Sequence, residues 1–471
     1  MRLELFACLG GYFAVVLFFG LAFSRKMKNL EDFFLASRRL SSSLIFLSLT
    51  ASWFGATSIL VSTDEALKTG VSALWIVGVP AVATVLLLAL FLVRPLHRLP
   101  IMTIPDLVEL RYGRTVRHLA SLLIIWYMAT LASSQMVALG QFLRAFLGLS
   151  YTCCLALGTA VVLIYSTAGG LRSVVFTDIA QIFLLSVGVT GLLIFLGGRV
   201  PPGGILELVP QAERSSYFGL FTNAGEHILI AFSFTLAWLI SPIALQRIQA
   251  ARGVREAKRG LFATAGALSL LYGIVIAIGI FSLPFFPGRS VANPLVSEMI
   301  SSKTGPILGG LLFVAVLAAV LSTMDTAINT GALSLTRDVH NQFFRRSRLG
   351  PVAAGRLATL VMGAAAFLIA TRSQSILKTI GLSSEIMAEG FFVPGVVMIF
   401  SPKRRPLAGL LSLCLGGGFS VLSFLAAAAL LRWKLPLWPY SVPYGLGLSL
   451  FGFGLGSAIE RFRGRRMPSL V

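Results

Sequence analysis

Thirteen apolar runs divide this chain from end to end. They cover about 3–24, 41–63, 71–93, 119–148, 151–167, 174–196, 224–248, 261–286, 307–336, 352–371, 375–400, 407–431 and 442–459. A helix needs roughly 20 apolar residues to cross a bilayer. In hydrocarbon every backbone N–H and C=O must be paired within its own segment, so such runs fold as helices. The pattern predicts an all-α polytopic membrane protein with about 13 transmembrane helices. Composition agrees: 56% of the residues are hydrophobic, 12% are charged, and the mean hydropathy is +0.87. A soluble protein of 471 residues would need a far more polar surface.

The formal net charge is +21. In a soluble chain that would point to nucleic acid. Here no Gly-rich phosphate loop or zinc-ligand spacing accompanies it, and no nucleic-acid partner is expected. Basic residues instead gather in every second loop. With the N-terminus outside, the inner loops and tail hold 28 of the 39 Lys and Arg, in groups that begin with Arg25, Lys26 and Lys28. That asymmetry predicts a cytoplasmic C-terminus. The first run has no strongly basic segment before it and no small-x-small cleavage site after it, so it reads as a retained span rather than a signal peptide. Cys8, Cys153, Cys154 and Cys414 have no CxxC spacing and read as small apolar side chains. His97, His118, His227 and His340 form no cluster in the sequence.

The second run is interrupted at its centre by Thr50, Ala51, Ser52, Trp53, Phe54, Gly55, Ala56, Thr57 and Ser58. Small and hydroxylated residues stand where a plain anchor would carry Leu, Ile and Val. Unwound backbone at that depth is tolerated only against protein or a watery cavity. The seventh run is interrupted by Ser241-Pro242, and Pro242 deprives the Trp238 carbonyl of its helical donor. A broken helix at the start of each of two five-span units, runs two to six and seven to eleven, is the pattern of a 5+5 inverted-repeat core with binding sites at the breaks.

Polar groups at depth add to this. Asp178 lies about a turn inside the sixth run, where it could also cap a helix beside Thr177. The ninth run carries Ser322, Thr323, Asp325 and Thr326, with Ser322/Asp325 and Thr323/Thr326 three apart. Oxygens of hydroxyl, carbonyl and carboxylate groups are what a hard cation such as sodium takes. The bland alternative, hydroxyls bonding back to i−4 carbonyls, leaves Asp325 unexplained. Glu385 and Glu389 stand one turn apart in the eleventh run. They either face water near the span end or share a buried cavity.

These residues carry a resemblance. Glu31-Asp32-Phe33-Phe34-Leu35-Ala36-Ser37-Arg38-Arg39-Leu40 resembles the DFFLAGR-like lead-in of the sodium:solute symporter family. Gly169-Gly170-Leu171-Arg172 through Thr177-Asp178 with Gln181 resembles its GG…TD..Q signature. Pro242…Gln246-Arg247…Ala250-Ala251 with Glu256-Ala257 resembles its Q-R…A…EA segment, and Ala319 to Thr323 through Thr336-Arg337-Asp338 its A..ST…L..D helix. The resemblance runs from about residue 10 to residue 400.

The resemblance implies a LeuT-type fold and Na+ as the coupling ion. It implies a sodium site made of the carbonyls of Ala51, Phe54 and Ala319 and the hydroxyls of Ser322 and Thr323. Some relatives have a second cation site, which here would use Asp178, Ser322, Asp325 and Thr326. Many relatives have Ser where this chain has Asp325. The solute would meet Trp53, Thr57, Ser58, Trp238 and Ser241. Glu385 and Glu389 are unusual for their helix, and are expected to meet a cationic or zwitterionic solute or to take a coupling proton. Sugar carriers of the family place amides at the positions of Ser58 and Ser241, which argues against sugars. The proline branch usually has Asp at the position of Trp53.

The expected function is sodium-coupled symport of a small organic solute such as an amino acid, a carboxylate or a zwitterion. A solute sensor on the same core is the alternative, disfavoured because the sequence stops at Val471, about a dozen residues past the last run. A proton-coupled symporter using Glu385 and Glu389 is another. A channel would not need paired broken helices. No enzyme is expected, since no nucleophile–base pair stands at depth. The expected divisions are 1–40 (first span and inner loop), 41–197 (first repeat), 198–222 (outer loop), 223–400 (second repeat) and 401–471 (two peripheral spans and a basic tail). The expected location is the plasma membrane, as the inner membrane of a bacterium.

Overall fold

The structure, a computed structural model, describes residues 2–22, 29–222, 224–289, 291, 293–343, 349–372, 375–427 and 435–462. The expected inner-loop charges Arg25, Lys26, Lys28, Arg345, Arg346 and Arg348, and most of the tail, lie outside the described residues. So does the end of the twelfth run.

The main helices in chain order are α1 Arg2–Ala22, α2 Ser42–Trp53, α3 Ser62–Thr69, α4 Gly78–Leu87, α5 Ile104–Tyr112, α6 Arg114–Leu147, α7 Tyr151–Gly197 and α8 Ala224–Leu239. Then follow α9 Pro242–Ala250, α10 Val254–Phe281, α11 Pro306–Ser334, α12 Pro351–Arg372, α13 Ile376–Ile386, α14 Pro406–Ser412 and α15 Val442–Phe462. Among the described residues, nine helices are long and apolar enough to cross a membrane, or ten if α8 and α9 are one bent span. One contiguous apolar core runs through nearly all of them.

Local chemistry sets the helix starts. Ser41 accepts from the Leu44 N–H and caps α2. Thr103 and Asp106 form a reciprocal capping box on α5. Pro242 and Pro306 occupy the first positions of α9 and α11, where the missing N–H costs nothing. The long helix α7 is not continuous. Gly170 adopts φ 55° and ψ −156° and breaks it between the fifth and sixth apolar runs. Only glycine enters that region without strain.

The placement of α11 organises the middle of the molecule. It packs chiefly against α6 and α7 and is buried along almost its whole length from Gly309 to Ser334. The start of the chain, α1, lies on α7, and α10 lies along α2. At one end, α5, α6 and the turn after α11 are tied by charge. Arg117 Nη2 donates to Asp338 Oδ1 at 2.8 Å and to Asp106 Oδ1 at 3.0 Å, and Arg337 Nε donates to Asp106 Oδ2 at 2.9 Å. Arg117 also pairs with Glu109. Two of the basic residues counted as loop charges are therefore structural ties.

Candidate functional site

Two helix breaks face each other across the core. In the first, α2 ends at Phe54, whose φ −98° and ψ 69° turn its carbonyl out of the helical direction. Helical geometry resumes at Ala56. The freed Ala56 N–H donates to Gln135 Oε1 of α6 at 2.9 Å, so the break is satisfied by a side chain from another helix. Gly55 is required here by close approach. A Cβ would fall 2.5 Å from Thr323 Oγ1 and 2.8 Å from Gln135 Oε1.

The second break separates α8 from α9 with a bend of 40°. Ser241 is extended, with φ −68° and ψ 126°. Pro242 removes the usual donor to the Trp238 carbonyl, as the sequence predicts, but that carbonyl is not left open. The Ser241 N–H donates to it at 3.1 Å in a tighter turn.

Between the first break and α11 the structure brings together most of the groups named for sodium. Ser322 Oγ lies 2.9 Å from the Ala51 carbonyl and 3.0 Å from that of Ala319. Thr323 Oγ1 lies 3.3 Å from the same Ala319 carbonyl and 3.1 Å from that of Ser52. All of these residues are buried. Ser52 enters this group, although the sequence suggested only its neighbours. The set is uncharged and made wholly of oxygens from carbonyls and hydroxyls. It fits a hard monovalent cation, which would replace the hydroxyl-to-carbonyl hydrogen bonds now holding the oxygens together.

Beside this cluster is a cavity of about 50 Å³ lined by Ser52, Trp53, Tyr127, Trp238, Ser241 and Thr323 among others. Trp53 and Trp238 meet edge to face at 6.2 Å, and Phe234 stacks behind Trp238 at 4.9 Å. The volume holds a water or two at about 30 Å³ each. A solute could enter only if the helices part.

The remaining expected solute contacts are distributed differently. Ser58 Oγ is bonded to the Tyr272 hydroxyl of α10 at 2.7 Å. Thr57 is buried, and its Oγ1 has no partner among the described residues. Glu385 and Glu389 are buried, which rules out the water-facing alternative, but they do not line the cavity. Glu385 accepts from Ser441. Glu389 lies against Gly445 of α15. The Glu389 carboxylate has room there because its neighbour on the last helix is Gly445, where a Cβ would clash with it.

The groups named for a second cation stand around a residue that the sequence reading quoted only as part of a motif. Arg247 of α9 is completely buried. Its Nε donates to Ser48 Oγ at 3.0 Å, and its Nη2 to Thr326 Oγ1 at 3.1 Å and Ser52 Oγ at 3.4 Å. The same Nη2 is 3.8 Å from Asp178 Oδ2. Ser48 Oγ in turn donates to Asp178 Oδ2 at 2.6 Å. Asp325 Oδ2 accepts from the Tyr165 hydroxyl at 2.6 Å. Ser322 belongs to the first cluster rather than to this one. Gln135, Tyr165 and Tyr272 were also missed. Each is a polar group inside an apolar run, and that was the one signal available.

A model of the sodium:solute symporter family matches residues 33–416. The osmoregulated proline transporter OpuE of Bacillus subtilis is 26% identical over 441 residues, covering 90% of this chain and 89% of that one. A sodium/proline symporter of Haemophilus influenzae is 25% identical, covering 84% and 83%. The fold matches a solved Na+-coupled sialic acid symporter in a substrate-bound outward-open state. The TM-score is 0.82 at 20% identity, with 99% of both chains covered.

Proposed function

Because the chain belongs to the sodium:solute symporter family, we propose that it imports a small organic solute together with sodium by alternating access. The observation that carries this reading is the bridge between α2 and α11. Ser322 and Thr323 reach the carbonyls of Ala51 and Ser52 across the first helix break, directly beside the Trp53–Trp238 cavity. Sodium held by Ala51, Phe54, Ala319, Ser322 and Thr323 would tie α2 to α11 and so shape one wall of the solute pocket. An ion shifts a two-state equilibrium only by its difference in affinity for the two states. Here that difference comes from oxygens contributed by two separate helices, which converge in one state and separate in the other.

The solute pocket is the cavity between the two breaks. Its walls are aromatic, with hydroxyls from Ser52, Ser241 and Tyr127, and it carries no charged side chain. Helix ends at the breaks present partial charges of both signs. That suits a small zwitterion with an apolar body. Relatives named for proline make proline the first solute to test.

The repeats 41–197 and 223–400, thirteen crossings, an outer N-terminus and a cytoplasmic C-terminus complete the proposal. The paired breaks at 54–56 and 239–242 support it, as does the charge asymmetry of the loops. The test is uptake of labelled proline, then of other amino acids, betaines and small carboxylates, into proteoliposomes under an inward sodium gradient. Accumulation that collapses when sodium is replaced by potassium is expected. Uptake indifferent to sodium would overturn the reading.

A further inference from the structure

A groove of about 350 Å³ runs between α7 and α12, and none of its walls belongs to the clusters described above. Leu163, Ile164, Thr167 and Ala168 line it from α7, and Arg356 and Leu360 from α12. Deeper along α12 the two helices touch. Gly363 seats Leu163 there, and a Cβ on Gly363 would fall 2.3 Å from Leu163 Cδ2. Toward the start of α12 that contact gives way to the groove. Its apolar walls are open to the surroundings, with Ile164 54% and Leu360 45% exposed. Its volume is about ten times the roughly 30 Å³ of a liquid water molecule, which is room for a stretch of acyl chain.

The polar groups of the groove are at one end. Arg356 is exposed, one turn before Leu360, and no ion pair or hydrogen bond joins it to another described residue. The nearby lead-in segment does not neutralise it. Gly355 packs on Phe34, but Glu31 of that segment is taken by Arg38 at 2.6 Å. Thr167 lines the same groove, and its hydroxyl has no partner among the described residues.

We propose that this groove holds one anionic phospholipid of the inner leaflet, with its phosphate on Arg356 and an acyl chain along Leu163, Ile164 and Leu360. The inner leaflet rests on the orientation proposed above, which puts the end of the fifth run and the start of the tenth on the cytoplasmic side. Charge complementarity selects the occupant. A guanidinium presents a planar fork that matches two phosphate oxygens, and basic pockets between membrane helices on the cytoplasmic side suit anionic head groups. An arginine that only reached for water would need no apolar groove beside it. The place is also a sensitive one. The break at Gly170 follows Ala168 by two residues, and Tyr165, which holds Asp325 at 2.6 Å, precedes Thr167 by two. A lipid seated here would brace α7 against α12 next to its break.

The test is a lipid count on the purified full-length protein. Native mass spectrometry in detergent compares phosphatidylglycerol with phosphatidylcholine of the same chains. One phosphatidylglycerol should be retained in preference, and it alone should raise the thermal midpoint. Arg356→Gln should weaken its binding about fivefold, the loss of one basic contact to an anionic lipid. Arg356→Lys should keep part of the preference, and Arg372→Gln, at the other end of α12, should keep all of it. Leu360→Trp fills the groove with the charge in place and should also lose the lipid. Equal retention of the two lipids, or an Arg356→Gln protein with the wild-type preference, would overturn the proposal. So would displacement of the phosphatidylglycerol by millimolar inorganic phosphate, which would mark a site for free phosphate. The count uses neither sodium nor solute, so uptake that proved indifferent to sodium would remove the symport reading and leave this site standing.

Discussion

Ser322 Oγ donates to the carbonyl oxygen of Ala51 at 2.9 Å, joining two residues 271 positions apart in the chain. That contact closes the first helix break against α11. If it marks the sodium site, Ser322→Ala and Thr323→Ala should each raise the sodium concentration for half-maximal uptake about tenfold. The estimate comes from the loss of one hydroxyl ligand at about 1–1.5 kcal/mol. Uptake measured over a sodium series decides it, and an unchanged sodium dependence would remove these residues from the site.

Gln135 holds the Ala56 N–H at the break. Gln135→Leu leaves that buried donor unpaired, at a cost of about 1–3 kcal/mol. The thermal midpoint in detergent should fall, and sodium affinity should fall with it. Gln135→Glu keeps the acceptor and should restore most of the stability. A Leu variant as stable as the wild type would show that the contact is incidental.

The Trp53–Trp238 pair forms the aromatic wall of the cavity. Trp53→Ala or Trp238→Ala should raise the KM for the solute at least tenfold, because each removes a large apolar contact worth about 2 kcal/mol or more. The sodium count by 22Na+ binding should not change. A variant with normal KM would place the solute elsewhere.

Glu385 meets Ser441, just before α15, and Glu389 lies against Gly445 of α15, so neither lines the cavity. Glu385→Gln and Glu389→Gln should leave the solute KM within about twofold, as expected for residues remote from a binding site. A tenfold rise in KM, or loss of an otherwise pH-dependent uptake, would revive a direct part for the pair in transport.

Outside the spans, the Tyr217 hydroxyl donates to the carbonyls of Ala66 and Leu67, each at 3.0 Å, and Arg289 sits 4.6 Å from its ring. Burial pushes the phenol up to about 12, against the opposing pull of Arg289. The folded state thus favours the protonated form. Its contribution is complete below about pH 10, the usual phenol value, and is lost as pH rises toward 12. Tyr217→Phe should lower the thermal midpoint at pH 8, and its loss of stability between pH 10 and 12 should be shallower than in the wild type. Parallel alkaline curves for the two proteins would discount Tyr217.

Much of the site was legible before the fold. The first break was readable because Thr50 to Ser58 put small and hydroxylated residues in a run that should have been Leu and Val. Pro242 marked the second break through its missing N–H. Ser322 and Thr323 were readable as hydroxyls at helical spacing in an apolar run, although only the family resemblance connected them to Ala51. Glu385 and Glu389 stood out as carboxylates inside an apolar run, but the direction they face depends on α15 and the segment before it, whose small residues give no sign of a partner.

The sequence by itself determined that the chain is helical, that it crosses a membrane many times, and that two of its helices are broken. Those properties follow from hydropathy and backbone chemistry, which act over a few residues. Tertiary structure alone decided which polar groups meet. In the sequence Arg247 is one residue of a family motif, five residues after Pro242. Only the packing of α9 against α2 and α11 carries its guanidinium into a fully buried cluster of oxygens. A buried charge is tolerated there because Nε and Nη2 find acceptors on α2 and α11 while Nη1 donates to the neighbouring Gln246 side chain, and the acceptors on other helices are set by the fold rather than by neighbours in the chain.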